Sequence, residues 1–182
     1  MTIPNILSIF RLVLVPVFCL VFFSGAENAR AWGAVIFAVA CATDVLDGYI
    51  ARKFGQITKL GRILDPLADK LMGFTVIVSL AVAAIVSWWA IAVFAAKEAL
   101  MGLGAFVMLR GEGDVLSSNI LGKLSASLFF LVCMALMLVP QITMLLSTIL
   151  IAAALGLSIL AMVVYFIQFI HRRKRVKPVR RT

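Results

Sequence analysis

The fold class this sequence predicts is an all-α polytopic membrane protein with six transmembrane helices and a short N-terminal interfacial segment. Three observations predict it. Of the 182 residues, 64% are hydrophobic and only 14% charged, more apolar sequence than a soluble domain of this size can keep from water. The apolar residues fall in runs long enough to cross about 30 Å of hydrocarbon as helices of roughly 20 residues. The basic residues concentrate in alternate links between those runs, the asymmetry that orients a membrane protein.

The first run, residues 6–23, follows TIPN, where Pro4 and Asn5 read as the interfacial segment. Arg11 interrupts this run, and two placements are open to it: snorkelling to the membrane surface or pairing with acidic groups elsewhere. No basic segment precedes the run, so it is expected to be retained rather than cleaved as a signal peptide. The second run covers residues 32–50, the third 66–86, the fourth 88–109, the fifth 120–139 and the sixth 142–170. The sixth is the longest, long enough to tilt or to extend beyond the bilayer. The sequence thus divides into a membrane domain, residues 1–170, and a basic tail, residues 171–182.

Residues 24–30, Ser87 and the Pro140 and Gln141 junction are short links on one side; residues 52–62 and 110–119 are longer links on the other. With six spans both termini share the side of the longer links. Net charge is +9. Arg52, Lys53, Lys59, Arg62, Arg110 and the tail residues Arg172, Arg173, Lys174, Arg175, Lys177, Arg180 and Arg181 fall on that side, against Arg30 alone on the other. Positive charge marks it as cytoplasmic. The tail directly follows an apolar run, which favours anionic lipid headgroups over nucleic acid as its partner. Trp88 and Trp89 read as an aromatic anchor at the opposite interface, and His171 as a headgroup contact. Cys19, Cys41 and Cys133 lie singly in apolar runs, with neither metal-ligand spacing nor a disulfide framework.

The chemistry concentrates between Asp44 and Asp69, in DVLDGYIARKFGQITKLGRILDPLAD. Four of the eight acidic residues, Asp44, Asp47, Asp65 and Asp69, fall in this window. As two helical segments, each presents its carboxylates as one stripe with small residues beside them. Packed carboxylates in so apolar a chain are costly unless something cationic joins them. Four carboxylates are neutralised by two divalent cations, and paired metals can clamp both the attacking and the leaving oxygen of a phosphoryl displacement. Oxygen-only ligation favours Mg²⁺ or Mn²⁺ over zinc. Gly48 and Gly61 leave room for a nucleotide against the helix backbone, and Arg52 offers a fixed cation.

With its spacings the window reads D-x2-D-G-x2-A-R-x8-G-x3-D-x3-D. It resembles, at every defined position, the signature of the CDP-alcohol phosphotransferase family, and the length and six-run pattern extend the resemblance over the chain. The resemblance implies a CDP-linked donor held by these helices, its diphosphate engaged by metals, and an acceptor hydroxyl that attacks the lipid-side phosphorus as CMP leaves. It implies Asp44, Asp47 and Asp65 as principal metal ligands. Asp69 becomes a metal-proximal residue and general base, and Gly48, Ala51, Arg52 and Gly61 line the cytidine diphosphate pocket. A homodimer in the bacterial inner or plasma membrane, with its active site cytoplasmic, is implied as well.

The opening Pro4, Asn5 and Arg11, together with Gly122 and Lys123, resembles bacterial phosphatidylglycerophosphate synthases. That implies CDP-diacylglycerol as donor and glycerol 3-phosphate as acceptor, with Lys59, Arg62, Arg110 and Lys123 as candidates for the acceptor phosphate. Where those synthases carry Arg–Glu this chain has Lys97 and Glu98, followed by the apolar MGLGAFVM where they show a further basic residue. Cardiolipin synthesis, with phosphatidylglycerol as acceptor, is therefore the nearest alternative within the family, followed by transfer to another alcohol such as inositol phosphate, serine or a choline-type acceptor. A divalent-cation transporter is the alternative outside it.

Overall fold

The computed structural model of the chain describes residues 2–55, 61–110, 120–139 and 141–175. Six helices follow one another, with no strand among the described residues: α1 (Ile3–Phe22), α2 (Ala29–Lys53), α3 (Gly61–Val82), α4 (Trp89–Arg110), α5 (Ile120–Leu138) and α6 (Met144–Arg175). Among the described residues, four of them, α1, α2, α5 and α6, contain stretches long and apolar enough to cross a membrane. α3 carries Asp65, Asp69 and Lys70 along its length, and α4 carries Lys97 and Glu98.

Neighbours in space differ from neighbours in sequence. Packing runs from α1 to α2, α5, α6, α4, α3 and back to α1, and α3 also touches α2 and α5. Inside this circuit lie Phe18, Phe37, Val76, Ile77, Leu80, Leu136, Ile151 and Leu155, all buried. Aromatic pairs join elements distant in sequence: Phe37 of α2 meets Phe130 of α5 at 5.3 Å between ring centroids, and Phe94 of α4 stacks on Phe129 at 5.1 Å. A Cβ at Gly33 would stand 2.9 Å from the Phe22 ring, so this glycine permits the close approach of α1 and α2. The Ser147 hydroxyl donates to the Ile85 carbonyl at 2.6 Å, fastening the start of α6 to the turn between α3 and α4. The outer surface is apolar too, with Leu20, Leu131 and Leu145 prominently exposed, as a bundle solvated by lipid requires.

Helix bounds differ from the hydrocarbon runs, reaching past them at some ends and stopping short at others, as α3 does at Val82. The expected interfacial segment is helical and continuous with the first run: α1 begins at Ile3, with Pro4 and Asn5 buried in its first turn. Proline costs nothing there, because the first N–H groups of a helix have no partner within it. α2 begins at Ala29 and continues to Lys53, ending where Phe54 donates to the Ile50 carbonyl and Gly55 takes a φ of +64°. α3 begins at Gly61, five residues ahead of the apolar run at residue 66, so that Asp65 lies within the helix. α6 runs through residue 171 to Arg175, crossing the expected boundary between membrane domain and tail; residues 176–182 lie outside the described set.

Candidate active site

Asp44 and Asp47 lie near the end of α2, and Asp65 and Asp69 near the start of α3. The two stripes face a common partner from α1. Arg11, 1% exposed, sends Nη1 to Asp44 Oδ1 at 2.5 Å and Nη2 to Asp47 Oδ2, with Asp65 Oδ1 at 3.9 Å from Nη2. Pairing with the acidic cluster, rather than snorkelling, is thus the placement Arg11 takes. Its neighbour one turn earlier, Ser8, donates to Asp65 and lies against the Pro4 carbonyl at 2.9 Å. Burial differs along the cluster: Asp47 is enclosed, whereas the Asp44 and Asp65 side chains are 41% and 37% exposed. Arg11 Nε is buried with no hydrogen-bond partner among the described residues.

Asp69 stands one turn beyond Asp65 and faces a second space. A cavity of about 540 Å³ is lined by Asp69 and Lys70 of α3, Lys97 and Glu98 of α4, Lys123 of α5 and Tyr165 of α6, among others. Glu98 organises its polar end, accepting from Lys97 at 2.5 Å and from Lys70 at 3.3 Å. The Lys97 ammonium also lies 5.0 Å from the centroid of the Phe94 ring, a cation–π contact. The remaining wall is mostly apolar, with Phe129, Phe130 and Met162, and includes Ser125 and Ser158. Lys123, the acceptor candidate read from the sequence, is therefore in the same cavity as Asp69. Lys70 and Tyr165 were not singled out by sequence reasoning; the one available signal for Lys70 was a cation beside Asp69 in an otherwise apolar run.

Other candidates are placed less fully. Gly48, Ala51 and Gly61 sit on the helix ends that carry the carboxylates, Gly61 buried at the first position of α3. Arg52, Arg62 and Arg110 belong to the ends of α2, α3 and α4, but their side chains lie outside the described set, and Lys59 lies outside the described residues altogether.

The donor set fits a hard divalent cation: every candidate ligand is a carboxylate oxygen, and three of the four groups turn toward one cationic centre. As arranged about Arg11, no group of three or more acidic, histidine or cysteine side chains among the described residues forms a cage for a metal. The guanidinium fills the position about which they gather.

Comparison with known proteins decides the family. The description of the CDP-alcohol phosphatidyltransferases matches residues 1–160, the span that holds both stripes, Arg11 and most of the cavity wall. The chain belongs to the CDP-alcohol phosphatidyltransferase family. Within it, a Mycobacterium bovis protein provisionally named a cardiolipin synthase is 33% identical over 171 residues, 93% of this chain and 80% of that protein. A Bacillus subtilis CDP-diacylglycerol–glycerol-3-phosphate 3-phosphatidyltransferase is 34% identical over 134 residues, 66% of this chain and 68% of its own length. The Rickettsia bellii protein of the same name is 47% identical over 77 residues, 42% of each chain. As a CDP-alcohol phosphatidyltransferase the chain is a membrane-embedded transferase of phospholipid biosynthesis, and the sequence motif, the helix-end carboxylates and the family agree.

Proposed function

We propose that this enzyme transfers the phosphatidyl group of CDP-diacylglycerol to glycerol 3-phosphate, releasing phosphatidylglycerophosphate and CMP. The observation that carries the reading is the meeting of the two carboxylate stripes beside a lysine-lined cavity that Asp69 shares with Lys123. Asp44, Asp47, Asp65 and Asp69 would hold two divalent ions, Mg²⁺ or Mn²⁺. When bound, such ions neutralise the donor diphosphate and acidify a nearby hydroxyl. Asp69, at the cavity wall, receives the proton of the acceptor hydroxyl as its oxygen bonds to the lipid-side phosphorus; the phosphoanhydride bond breaks, and its oxygen leaves with CMP. Lys123 and the Lys97, Lys70 and Glu98 group provide charge for the acceptor phosphate, with Glu98 holding two of the ammonium groups in place.

Six spans follow if α3 and α4 cross the membrane with the other four, their charged residues facing the site rather than lipid. The basic links and tail then put both termini and the site on the cytoplasmic face of a bacterial inner or plasma membrane. A homodimer is part of the same reading, tested by light scattering of the purified protein in detergent.

Phosphatidylglycerol as acceptor is the second reading. The apolar wall of Phe129, Phe130 and Met162 favours it, as does the mycobacterial relative matched along nearly the whole chain. Purified protein, CDP-diacylglycerol and a panel of acceptors, with products identified by mass spectrometry, separate the two. Phosphatidylglycerophosphate as the principal product supports the first; cardiolipin replaces it with the second. Metal-dependent ion flux in liposomes without CMP release would favour a transporter instead.

A further inference from the structure

Arg11 is the most enclosed cation among the described residues, and its guanidinium engages the carboxylates that the proposed function assigns to metal. A metal approaching those oxygens meets a guanidinium that already draws on their charge and lies close to where it must sit. Nη1 holds Asp44 Oδ1 and Nη2 holds Asp47 Oδ2, so both nitrogens of the fork are committed, and Asp65 lies just beyond at 3.9 Å. Yet the pairing is incomplete. Nε, equally buried, has no partner among the described residues, and a guanidinium that leaves a buried N–H unmatched is not in its best position.

The charges lead to the same conclusion. Three carboxylates against one guanidinium leave a surplus of negative charge, so the cluster still attracts a cation. That cation meets a fixed positive charge at the centre of the cluster. Arg11 comes from α1, whereas the carboxylates come from α2 and α3. Removing the contact therefore need not disturb the two stripes themselves.

We propose that Arg11 is a positioning residue that exchanges with the divalent ions: it holds Asp44, Asp47 and Asp65 together in the metal-free enzyme and yields carboxylate oxygens as metal enters. This rests on the metal-dependent reading of the site. It makes Arg11 both a brace for the metal-free protein and a competitor that weakens metal binding, a combination that an ordinary structural ion pair does not produce. The exchange also leaves a fixed cation beside the loaded site, where an anionic diphosphate is to bind.

The test compares purified full-length wild type, Arg11→Met and Arg11→Lys after metal removal. Mn²⁺ affinity is read from the electron paramagnetic resonance of free Mn²⁺, and unfolding temperature is measured with and without Mn²⁺. Arg11→Met is expected to bind Mn²⁺ more tightly, on the order of tenfold, the usual scale for coupling between two ligands. Its metal-free unfolding temperature falls, and Mn²⁺ raises that temperature by more than in wild type. Arg11→Lys, which keeps the charge but cannot fork across two carboxylates, falls between; its affinity decides the matter where Arg11→Met does not fold. Unchanged or weaker Mn²⁺ binding in the variants overturns the exchange and leaves the metal-dependent reading standing. Absence of Mn²⁺ binding in wild type overturns both.

Discussion

Ser8 on α1 donates a hydrogen bond to Asp65 on α3, beside a second acceptor, the Pro4 carbonyl. A hydroxyl has one proton to give, and the charged carboxylate is the stronger acceptor. The first helix thus orients one carboxylate of the cluster through Ser8 and two more through Arg11. Ser8→Ala should leave Asp65 free to turn, raising the Mg²⁺ concentration for half-maximal activity by about threefold to tenfold, the scale of one hydrogen bond to a charged group. A Mg²⁺ titration of activity measures this, and an unchanged midpoint would detach Ser8 from the site.

Chelation of divalent cations should abolish turnover, and Mg²⁺ or Mn²⁺ should restore it, with CMP and lipid product released in equal amounts. Full turnover in excess chelator, with metal absence verified, would remove metal from the mechanism.

Asp44→Asn and Asp69→Asn should differ in kind. The first removes a group from the cluster about Arg11 and should weaken metal and donor binding together with activity. The second should lose turnover, on the order of a hundredfold or more, while keeping more of the CDP-lipid affinity, because Asp69 faces the cavity. Donor affinity measured by titration alongside single-turnover rates separates these effects. Equal loss of donor binding in both would contradict the division.

Lys123→Ala should raise KM for glycerol 3-phosphate by about threefold to tenfold and leave that for CDP-diacylglycerol nearly unchanged, since an exposed lysine contributes a modest, screened contact. Glu98→Gln is the companion: it frees Lys70 and Lys97 from their shared carboxylate and should alter acceptor KM more than donor KM. Steady-state kinetics with each substrate varied would test both, and an unchanged acceptor KM in both variants would shift the assignment toward phosphatidylglycerol.

The sequence made some parts of this site legible and hid others for physical reasons. Asp44, Asp47, Asp65 and Asp69 were readable because helical spacing alone puts each pair on one face. Arg11 was only half readable: its cost in an apolar run was plain, but whether it met water or carboxylate depended on how α1 packs against α2 and α3, which local periodicity does not encode. Lys70 and Tyr165 escaped because a cavity wall is assembled from α3 and α6, remote in sequence. The helix bounds depart from the apolar runs in both directions: α1, α2 and α6 reach beyond them at one end or both, whereas α3 stops at Val82, short of the run's end at residue 86. Hydropathy marks the part of a helix that prefers hydrocarbon, whereas hydrogen bonding carries α1 outward to Ile3 and α6 outward to Arg175. The longest apolar run, the sixth, lies in the longest helix, α6.

The pairing of Arg11 with Asp44 and Asp47 also imposes an order on biogenesis. The arginine emerges from the ribosome first; its partners lie 33 and 36 residues later in the chain. Until α2 follows, α1 presents the bilayer with an uncompensated guanidinium, a penalty of about 2.5–3.5 kcal/mol at a helix centre on translocon scales. The first helix is thus a poor stand-alone membrane anchor, and the first two should enter as a hairpin. A nascent chain truncated at Asn28 should insert less efficiently than one ending after Lys53, and Asp44→Asn with Asp47→Asn should remove the advantage of the longer chain. Equal insertion of all three in a glycosylation-mapping assay would show that α1 needs no help. Loss of that advantage in the double variant would show that Asp44 and Asp47 serve twice, first as partners in membrane integration and later in the chemistry proposed for them.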